Sequence, residues 1–273
     1  TLWLTPVCED NEKAYTYHGY AQTDLYKIDA RYGTNEEYRE LSTELKKRDM
    51  KLVKDYVTNH WGVSHWLIQD LPTKDWIHWF EDGKNGFKRS NYRTNSQMNP
   101  YAADVDKKVA LDGWFDTTMP DLNQSNPLVL KYLIQNAIWW IEYAQLDGYR
   151  VDTYPYNDKD GMAKWCKAIT EEYPNFNIVG ETWMYDAAQI VFWQKDSKVG
   201  EIENYNSNLP SVIDFMLYEN LPKALQEEEK KRVIDKLKEI RQDVLNGSSF
   251  FSKAVLFSED PGSSSNGGFY KMN

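Results

Sequence analysis

Stretches that predict strands alternate with stretches that predict helices, and this alternation restricts the fold more than any other feature of the chain. Short apolar runs predict strands over residues 2–7, 51–57, 148–154, 177–179, 212–217 and 254–257. Helical patterns separate them; one begins at Pro127, and another begins with the capping pair Thr34 and Glu37. Repeated β-α units are typical of α/β proteins with a parallel sheet, either open and doubly wound or closed into a barrel.

A long insertion interrupts this pattern. Between Asn59 and Pro127 the chain is rich in Trp, Asn and Gly and is far longer than an ordinary βα loop. Polar residues at the ends of several predicted strands favour a (β/α)8 TIM-type barrel, with the insertion as a lobe over its mouth. We predict barrel structure over 1–60, the inserted lobe over 61–123 and barrel structure again over 124–273. Because only about six strands are visible, the barrel is expected to be incomplete in this chain.

The charge balance and the cysteine count exclude several classes of protein. The chain has 32 basic and 42 acidic side chains and a formal net charge of −10, which disfavours nucleic acid and anionic membranes as partners because both reward a basic surface. No apolar run approaches the roughly 18 residues of a membrane-spanning helix, so we predict no transmembrane segment. Cys8 and Cys166 are too few for a disulfide framework.

Aromatic residues are abundant, with 11 Trp, 19 Tyr and 10 Phe. Flat aromatic faces suit sugar rings, but a core rich in aromatic residues is an equal alternative. In the insertion, the side chains for which both interpretations stay open are Trp76, Trp79, Trp114 and Phe115.

Carboxyl groups follow two of the predicted strands. The two-residue period of a strand places Arg150 and Asp152 on one face, so the guanidinium can hold the carboxylate ionised. Glu181 follows the next strand, where partial burial would keep it a proton donor. Retaining glycoside hydrolysis needs two such carboxyls roughly 5 Å apart, which matches the spacing of about 4.8 Å between neighbouring strands. The alternative is structural: Asp152 pairs with Arg150, and Glu181 caps the next helix.

Several short motifs together resemble those of glycoside hydrolase family 13, the α-amylase family. The motifs at 55–60, 148–152 and 179–183 occur in the family's order. The motif at 119–123 has a form near that of neopullulanases and cyclomaltodextrinases. The matching segments are Tyr17-His18-Gly19-Tyr20, Asp55-Tyr56-Val57-Thr58-Asn59-His60, Gly148-Tyr149-Arg150-Val151-Asp152, Val179-Gly180-Glu181-Thr182-Trp183 and Met119-Pro120-Asp121-Leu122-Asn123.

The resemblance implies a role for each matching residue. Asp152 would be the nucleophile that forms a β-glycosyl-enzyme intermediate, Glu181 the general acid/base, and Arg150 the residue that orients Asp152. The residues implied to bind the reacting sugar are His18, His60, Tyr20 and Trp183.

The resemblance also implies calcium as a cofactor, with Asn59 as a ligand. The family's third carboxylate, in an Asn-His-Asp motif after the seventh strand, has no match. Its nearest candidate is Asp260, which lacks the preceding His. Residue 1 already falls in the family's second strand, so the chain is expected to be a fragment of the catalytic domain.

Two functions follow from these features. The first is an enzyme that cleaves α-1,4 bonds in pullulan, cyclodextrins, maltooligosaccharides or starch; the second is a non-catalytic protein of the same fold that binds α-glucan. A nucleotide-binding protein is excluded because no Gly-rich phosphate loop follows any predicted strand. The resemblance implies a periplasmic or secreted bacterial-type protein, and it allows a homodimer of the full-length protein.

Overall fold

Five short parallel strands form the central sheet of the structure, a computed structural model that describes residues 1–78, 88–226 and 230–247. From one edge to the other, the strands are β1 (Leu2–Trp3), β4 (Leu52–Tyr56), β5 (Gly148–Val151), β6 (Asn177–Gly180) and β7 (Ser211–Val212). Their spatial order follows their order in the chain, with every pair parallel. This is the topology of a TIM-type barrel, and the described residues supply five of its eight strands.

Helices follow the strands, as the alternating pattern predicts. They are α1 (Asn35–Lys46), α2 (Asp104–Leu111), α3 (Pro127–Ala144), α4 (Lys159–Glu172), α5 (Ala187–Phe192), α6 (Phe215–Gln226) and α7 (Lys230–Leu245). The capping box of Thr34 and Glu37 begins α1. The side chain of Asn126 caps α3, and Pro127 occupies its first turn. Both predicted helix starts are therefore confirmed.

Four predicted strands are shorter in the structure than in the sequence pattern, although the run 51–57 loses only one residue at each end. The run 2–7 forms a strand only at Leu2–Trp3, and the run 148–154 ends at Val151. The prediction over 212–217 is wrong beyond Val212. The side chain of Asp214 accepts the N–H of Leu217 at 2.6 Å, which starts a helix where apolar residues alone suggested a strand.

The helices cover the sheet with a core rich in aromatic residues. The fully buried rings of this layer include Trp140 of α3 and Trp165 of α4. Tyr56 of β4 stacks on Trp165 at 5.5 Å, and its hydroxyl oxygen lies 2.7 Å from Asn136 Oδ1 and 3.0 Å from Leu133 O, the two acceptors available to its one hydrogen. Much of the aromatic excess therefore serves to pack helices against the sheet.

The segment between β4 and α3 is irregular, with α2 and short 3-10 helices at Trp66–Asp70 and Lys74–Trp76. Trp76 and Trp114 are buried there, which supports the core interpretation for these two. Isolated bridges join His60 to Asp121 and Ile77 to Leu122, tying the segment to the strand that precedes it. The boundaries at 60 and 123 stay predictions.

A small antiparallel pair, β2 (Cys8–Glu9) with β3 (Asp24–Ile28), lies between β1 and α1 and was not predicted. Trp79, the predicted strand at 254–257 and Asp260 lie outside the described residues. Among the described residues, no helix combines the length and the apolar character that crossing a membrane requires.

Candidate active site

The carboxyl ends of β4, β5 and β6 bring polar side chains together at one edge of the sheet. Val151 pairs with Gly180 in register, so Asp152 and Glu181 follow at equivalent positions of adjacent strands. Asp55 is the in-register partner of Arg150 on the other side. Because neighbouring strands lie about 4.8 Å apart, the register alone brings these groups close together.

The Arg150 guanidinium contacts three carboxylates at once. Its Nη1 lies 2.7 Å from Asp152 Oδ1 and 3.1 Å from Asp55 Oδ1, and its Nη2 lies 2.5 Å from Glu181 Oε1. All four side chains are largely buried. Three buried carboxylates around one cation carry an excess of negative charge when all are ionised, so the cluster favours holding a proton.

The pKa values of the cluster reflect this excess. Burial and the nearby charge of Glu181 raise the pKa of Asp152 well above its usual range, although Arg150 opposes the shift. Burial likewise raises the pKa of Asp55 to about 6. Arg150 lowers the pKa of Asp152, as expected, but burial and the neighbouring carboxylates outweigh the effect of a single shared guanidinium.

Glu181 is held by the loop that follows β5. Its Oε2 accepts the backbone N–H of Thr153 at 2.8 Å. Thr153 adopts a left-handed conformation with φ of 44°, a costly geometry for a β-branched residue that tends to occur at functional sites. The cap of the next helix is Asp186, so the structural alternative that Glu181 caps this helix is wrong.

A cavity of about 630 Å³ opens over the carboxylates. It is lined by His18, Tyr20, His60, Thr94, Phe115, Asp116, Met119, Asp152, Thr153, Pro155, Tyr156, Glu181 and Trp183. All four residues predicted to bind sugar are among them, together with the predicted nucleophile and acid/base. Arg150 contacts both of these carboxylates but does not itself line the cavity.

Tyr20 joins the cavity to the carboxylate cluster. Arg150 Nη1 donates to the Tyr20 hydroxyl at 3.4 Å, and that hydroxyl lies 3.5 Å from Asp55 Oδ2. Burial raises the pKa of Tyr20. Tyr20 is thus a neutral ring whose polar end is fixed by the cluster.

The two histidines of the cavity are favoured in their neutral forms. Burial lowers the pKa of His60 to about 3 and also lowers the pKa of His18. Asn59 Nδ2 donates to His60 Nδ1 at 3.2 Å, which leaves the hydrogen of the ring on Nε2. Tyr20 N donates to His18 Nδ1 at 3.0 Å in the same way.

Trp183 differs from the rest of the site because its ring is 54% exposed. It stacks on Phe215 at 5.0 Å with an interplanar angle of 13°, and its Nε1 donates to the Tyr185 hydroxyl at 2.8 Å. An exposed ring that is held this firmly can receive a sugar on its free face.

Asn59 offers one feature of a calcium ligand. Its Oδ1 is buried without a hydrogen-bond partner among the described residues. Calcium takes 6–8 oxygen ligands, several of them carboxylates. The described part of the chain contains no cluster of three or more His, Cys, Asp or Glu that could hold a metal ion. The calcium prediction therefore rests on Asn59 alone, and no catalytic step is assigned to the ion.

The sequence reasoning gave no role to Asp55, Thr94, Asp116 or Met119. A signal existed for Asp55, since it precedes Asn59-His60 on a strand whose neighbour carries Arg150. Asp116 and Met119 reach the cavity from the insertion, whose irregular backbone gives no periodicity to read. Phe115 also lines the cavity and stacks on His60 at 5.4 Å, in keeping with the sugar-platform interpretation.

Comparison with known proteins identifies relatives of this arrangement. The sequence model described as the catalytic domain of alpha amylase matches residues 1–253. The chain is 29% identical over 216 residues to a cyclomaltodextrinase of Thermoanaerobacter pseudethanolicus, covering 78% of the chain and 34% of the relative. It is 30% identical over 182 residues to an intracellular maltogenic amylase of Bacillus subtilis, covering 67% of the chain and 28% of the relative.

Among solved structures, the alpha-amylase of Geobacillus thermoleovorans in complex with acarbose matches with a TM-score of 0.62 and 31% identity, covering 80% of this chain and 42% of that one. The chain thus spans about a third of the length of these two curated relatives.

Proposed function

Because this chain belongs to the α-amylase catalytic-domain family, we propose that it carries the active centre of a retaining glycosidase that cleaves α-1,4 bonds in α-glucans. The observation that carries the proposal is the placement of Asp152 and Glu181. They occupy equivalent positions on adjacent strands, share the Arg150 guanidinium and line one cavity. This is the close pairing of carboxyls that double displacement requires.

In the proposed mechanism, Asp152 attacks the anomeric carbon while Glu181 gives its proton to the departing glycosidic oxygen. A β-glycosyl ester on Asp152 results. Glu181, now ionised, then takes a proton from water, which attacks the same carbon and releases the sugar with its original α configuration. The shared Arg150 guanidinium supports this cycle, because it contacts both carboxylates and lowers the pKa of Asp152, which must attack in its ionised form.

Neutral donors and aromatic rings would hold the sugar. His60, which is buried, and His18, which is half-buried, are imidazoles suited to hydrogen bonding with hydroxyl groups. Tyr20 would stack on the ring at the cleavage point, and Trp183 would receive the sugar on the leaving-group side, because it follows Glu181 by two residues. These roles are supported by the lining of the cavity.

Cyclodextrins and maltooligosaccharides are the substrates we propose first, with pullulan and starch as further candidates. The proposal also includes the division at residues 60 and 123, a homodimer of the full-length protein, and export to the periplasm or the exterior. A named intracellular relative argues that export is not general among similar proteins. Asn59 as a calcium ligand remains a prediction, testable by calcium titration of the folded chain.

The decisive experiment follows the stereochemistry of the product. The 273-residue chain, and any longer chain that contains it, should release α-anomeric reducing sugar when incubated with maltooligosaccharides or cyclodextrin. We expect weak turnover from the 273-residue chain, because the third carboxylate has no matching motif. Asp152→Asn should abolish the reaction, whereas Glu171→Gln, on the exposed face of α4, should not change it. Inversion, or an unchanged rate in Asp152→Asn, would refute the mechanism. Binding of maltooligosaccharide without any turnover would favour the non-catalytic alternative.

A further inference from the structure

A lysine amine and a cysteine thiol meet inside the protein, between the sheet and its helices. Lys54 lies on β4 and Cys8 on β2, and their side chains are 2% and 1% exposed. Lys54 Nζ donates to Cys8 Sγ at 3.1 Å, and the Cys8 thiol donates to Leu25 O at 3.6 Å. The proposed glycosidase mechanism uses neither residue.

The surroundings of Lys54 are unusual for a cation. Its Nζ lies 5.0 Å from the centre of the Trp140 ring and 3.4 Å from the backbone oxygen of Asp55. In the described part of the chain, the polar contacts of this amine are the Cys8 sulfur and that backbone oxygen, and it forms no ion pair with a carboxylate. Burial of a cation without such a partner is costly, and the Cys8 sulfur is the polar atom nearest to this amine.

The same contact decides how the thiol can react. Burial raises the pKa of the Cys8 thiol, and the nearby Lys54 lowers it again. The contact with Lys54 therefore favours the reactive thiolate of Cys8 against the effect of burial. The Lys54 nitrogen, 3.1 Å away, is also placed to meet any oxidised sulfur that forms there.

We propose that Cys8 and Lys54 are a modification site, at which peroxide joins them through an S–O–N bridge. One hydrogen peroxide oxidises the thiol to a sulfenic acid and leaves as water. The sulfenic acid, the neutral amine and a second peroxide then give Cys–S–O–NH–Lys and two further waters. Sulfur and nitrogen together lose four electrons, and the two peroxide molecules accept them. The bridge breaks when a thiol reductant returns these electrons.

The position of Cys8 in the fold determines how peroxide reaches the thiol and which strands the bridge connects. Its strand β2 is only two residues long and pairs irregularly with β3, so local opening can admit a molecule as small as peroxide. The bridge would tie β2 to β4, next to Asp55 of the carboxylate cluster. It would close a loop between positions 46 residues apart, which restricts the unfolded chain.

The other cysteine is a matched control within the same chain. Cys166 is also fully buried, but its polar neighbour is the Tyr154 hydroxyl at 3.4 Å. A phenol does not offer the nitrogen that the bridge needs. Peroxide should therefore join Cys8 to Lys54 and leave Cys166 without a crosslink.

The test is mass spectrometry of the folded 273-residue chain after treatment with hydrogen peroxide. The intact mass should gain one oxygen and lose two hydrogens, and dithiothreitol should reverse the change. After tryptic digestion, the peptides that contain Cys8 and Lys54 should appear as one species, with cleavage after Lys54 lost. The bridged chain should also melt at a higher temperature than the reduced chain.

Two variants separate the bridge from ordinary oxidation. Cys166→Ser should keep the crosslink, whereas Lys54→Met should lose it and add only oxygen to Cys8. Because the wild-type digest locates the bond directly, the test stands even where a variant does not fold. Addition of oxygen alone to wild-type Cys8, a lasting free thiol there, or a crosslink through Cys166 would each overturn the proposal.

Discussion

Arg150 Nη1 lies 3.1 Å from Oδ1 and 3.2 Å from Oδ2 of Asp55, its in-register neighbour on the adjacent strand. The same nitrogen contacts Asp152 Oδ1 at 2.7 Å. One cationic nitrogen is thus divided between the predicted nucleophile and a carboxylate that does not line the cavity. Asp55 consequently acts on the chemistry through Arg150 and through its own charge.

Replacement of Asp55 by Asn should change the pH profile of the reaction as well as its rate. The negative charge of Asp55 helps to raise the pKa of Asp152, so its removal should lower that pKa. Since Asp152 attacks in its ionised form, the acid limb of kcat/KM should move to lower pH. Loss of the charge-assisted contact to Arg150 should also reduce kcat/KM by about tenfold or more.

The control for this prediction is Glu171→Gln, which removes an exposed carboxylate from α4. It should leave both the rate and the acid limb unchanged. A purely structural role for Asp55 would lower the rate without moving the limb, and this outcome would contradict the charge coupling.

Replacement of Glu181 by Gln should depend strongly on the leaving group. The amide cannot give a proton to a glycosidic oxygen, so hydrolysis of maltooligosaccharides should fall by about 10²–10⁴-fold. An α-glucosyl fluoride needs no such proton, so formation of the glycosyl-enzyme should be much less impaired. Equal losses on both substrates would show that Glu181 is not the acid.

The sequence predicted which residues of the candidate site lie together better than it predicted the bounds of the strands. Asp152 and Glu181 follow apolar strands that the pattern reveals, and parallel pairing in register then brings them together. The sharing of Arg150 among three carboxylates was not predictable, because it depends on how side chains from three different strands pack around the guanidinium. Its consequence, the raised pKa of Asp152, was accordingly missed.

Trp183 should contribute to the binding of long substrates more than to the chemical step. Its ring is exposed on one side and held on the other by Phe215. Trp183→Ala should therefore raise KM for maltooligosaccharides about tenfold, the loss of one aromatic stacking contact of roughly 1.5 kcal/mol, while kcat on an activated monosaccharide glycoside stays within about twofold. Trp66→Ala, at an exposed Trp that does not line the cavity, should change neither constant.

The insertion was harder to read than the barrel. Its strands are isolated bridges and its helices are mostly short 3-10 turns, so neither the period of a strand nor that of a helix repeats often enough to be recognised. Trp76 and Trp114 are buried while Phe115 faces the cavity. Residue type alone could not separate these environments.

His65 predicts how stability depends on pH in this insertion. It is fully buried, stacks on Trp61 at 4.1 Å, and accepts the N–H of Leu67 at its Nδ1. Burial lowers the pKa of His65 from 6.5 to about 3. As the pH falls below 6.5, His65 becomes protonated in the unfolded chain but stays neutral in the folded chain, so the wild type loses stability. Between pH 8 and pH 5 this single group should cost about 2 kcal/mol.

A comparison of His65→Phe with the wild type should reveal how much His65 contributes to the pH dependence of the unfolding free energy. At pH 8 the variant should be less stable than the wild type by about 1–3 kcal/mol, because the Leu67 N–H loses its acceptor. The variant has no group to protonate at this position, so the difference in unfolding free energy between wild type and variant should be about 2 kcal/mol smaller at pH 5 than at pH 8. Urea denaturation at the two pH values measures both quantities. As a control, Leu67→Ala removes only packing, so its loss of unfolding free energy relative to the wild type should be the same at both pH values. An equally constant loss in His65→Phe would show that burial does not keep His65 neutral.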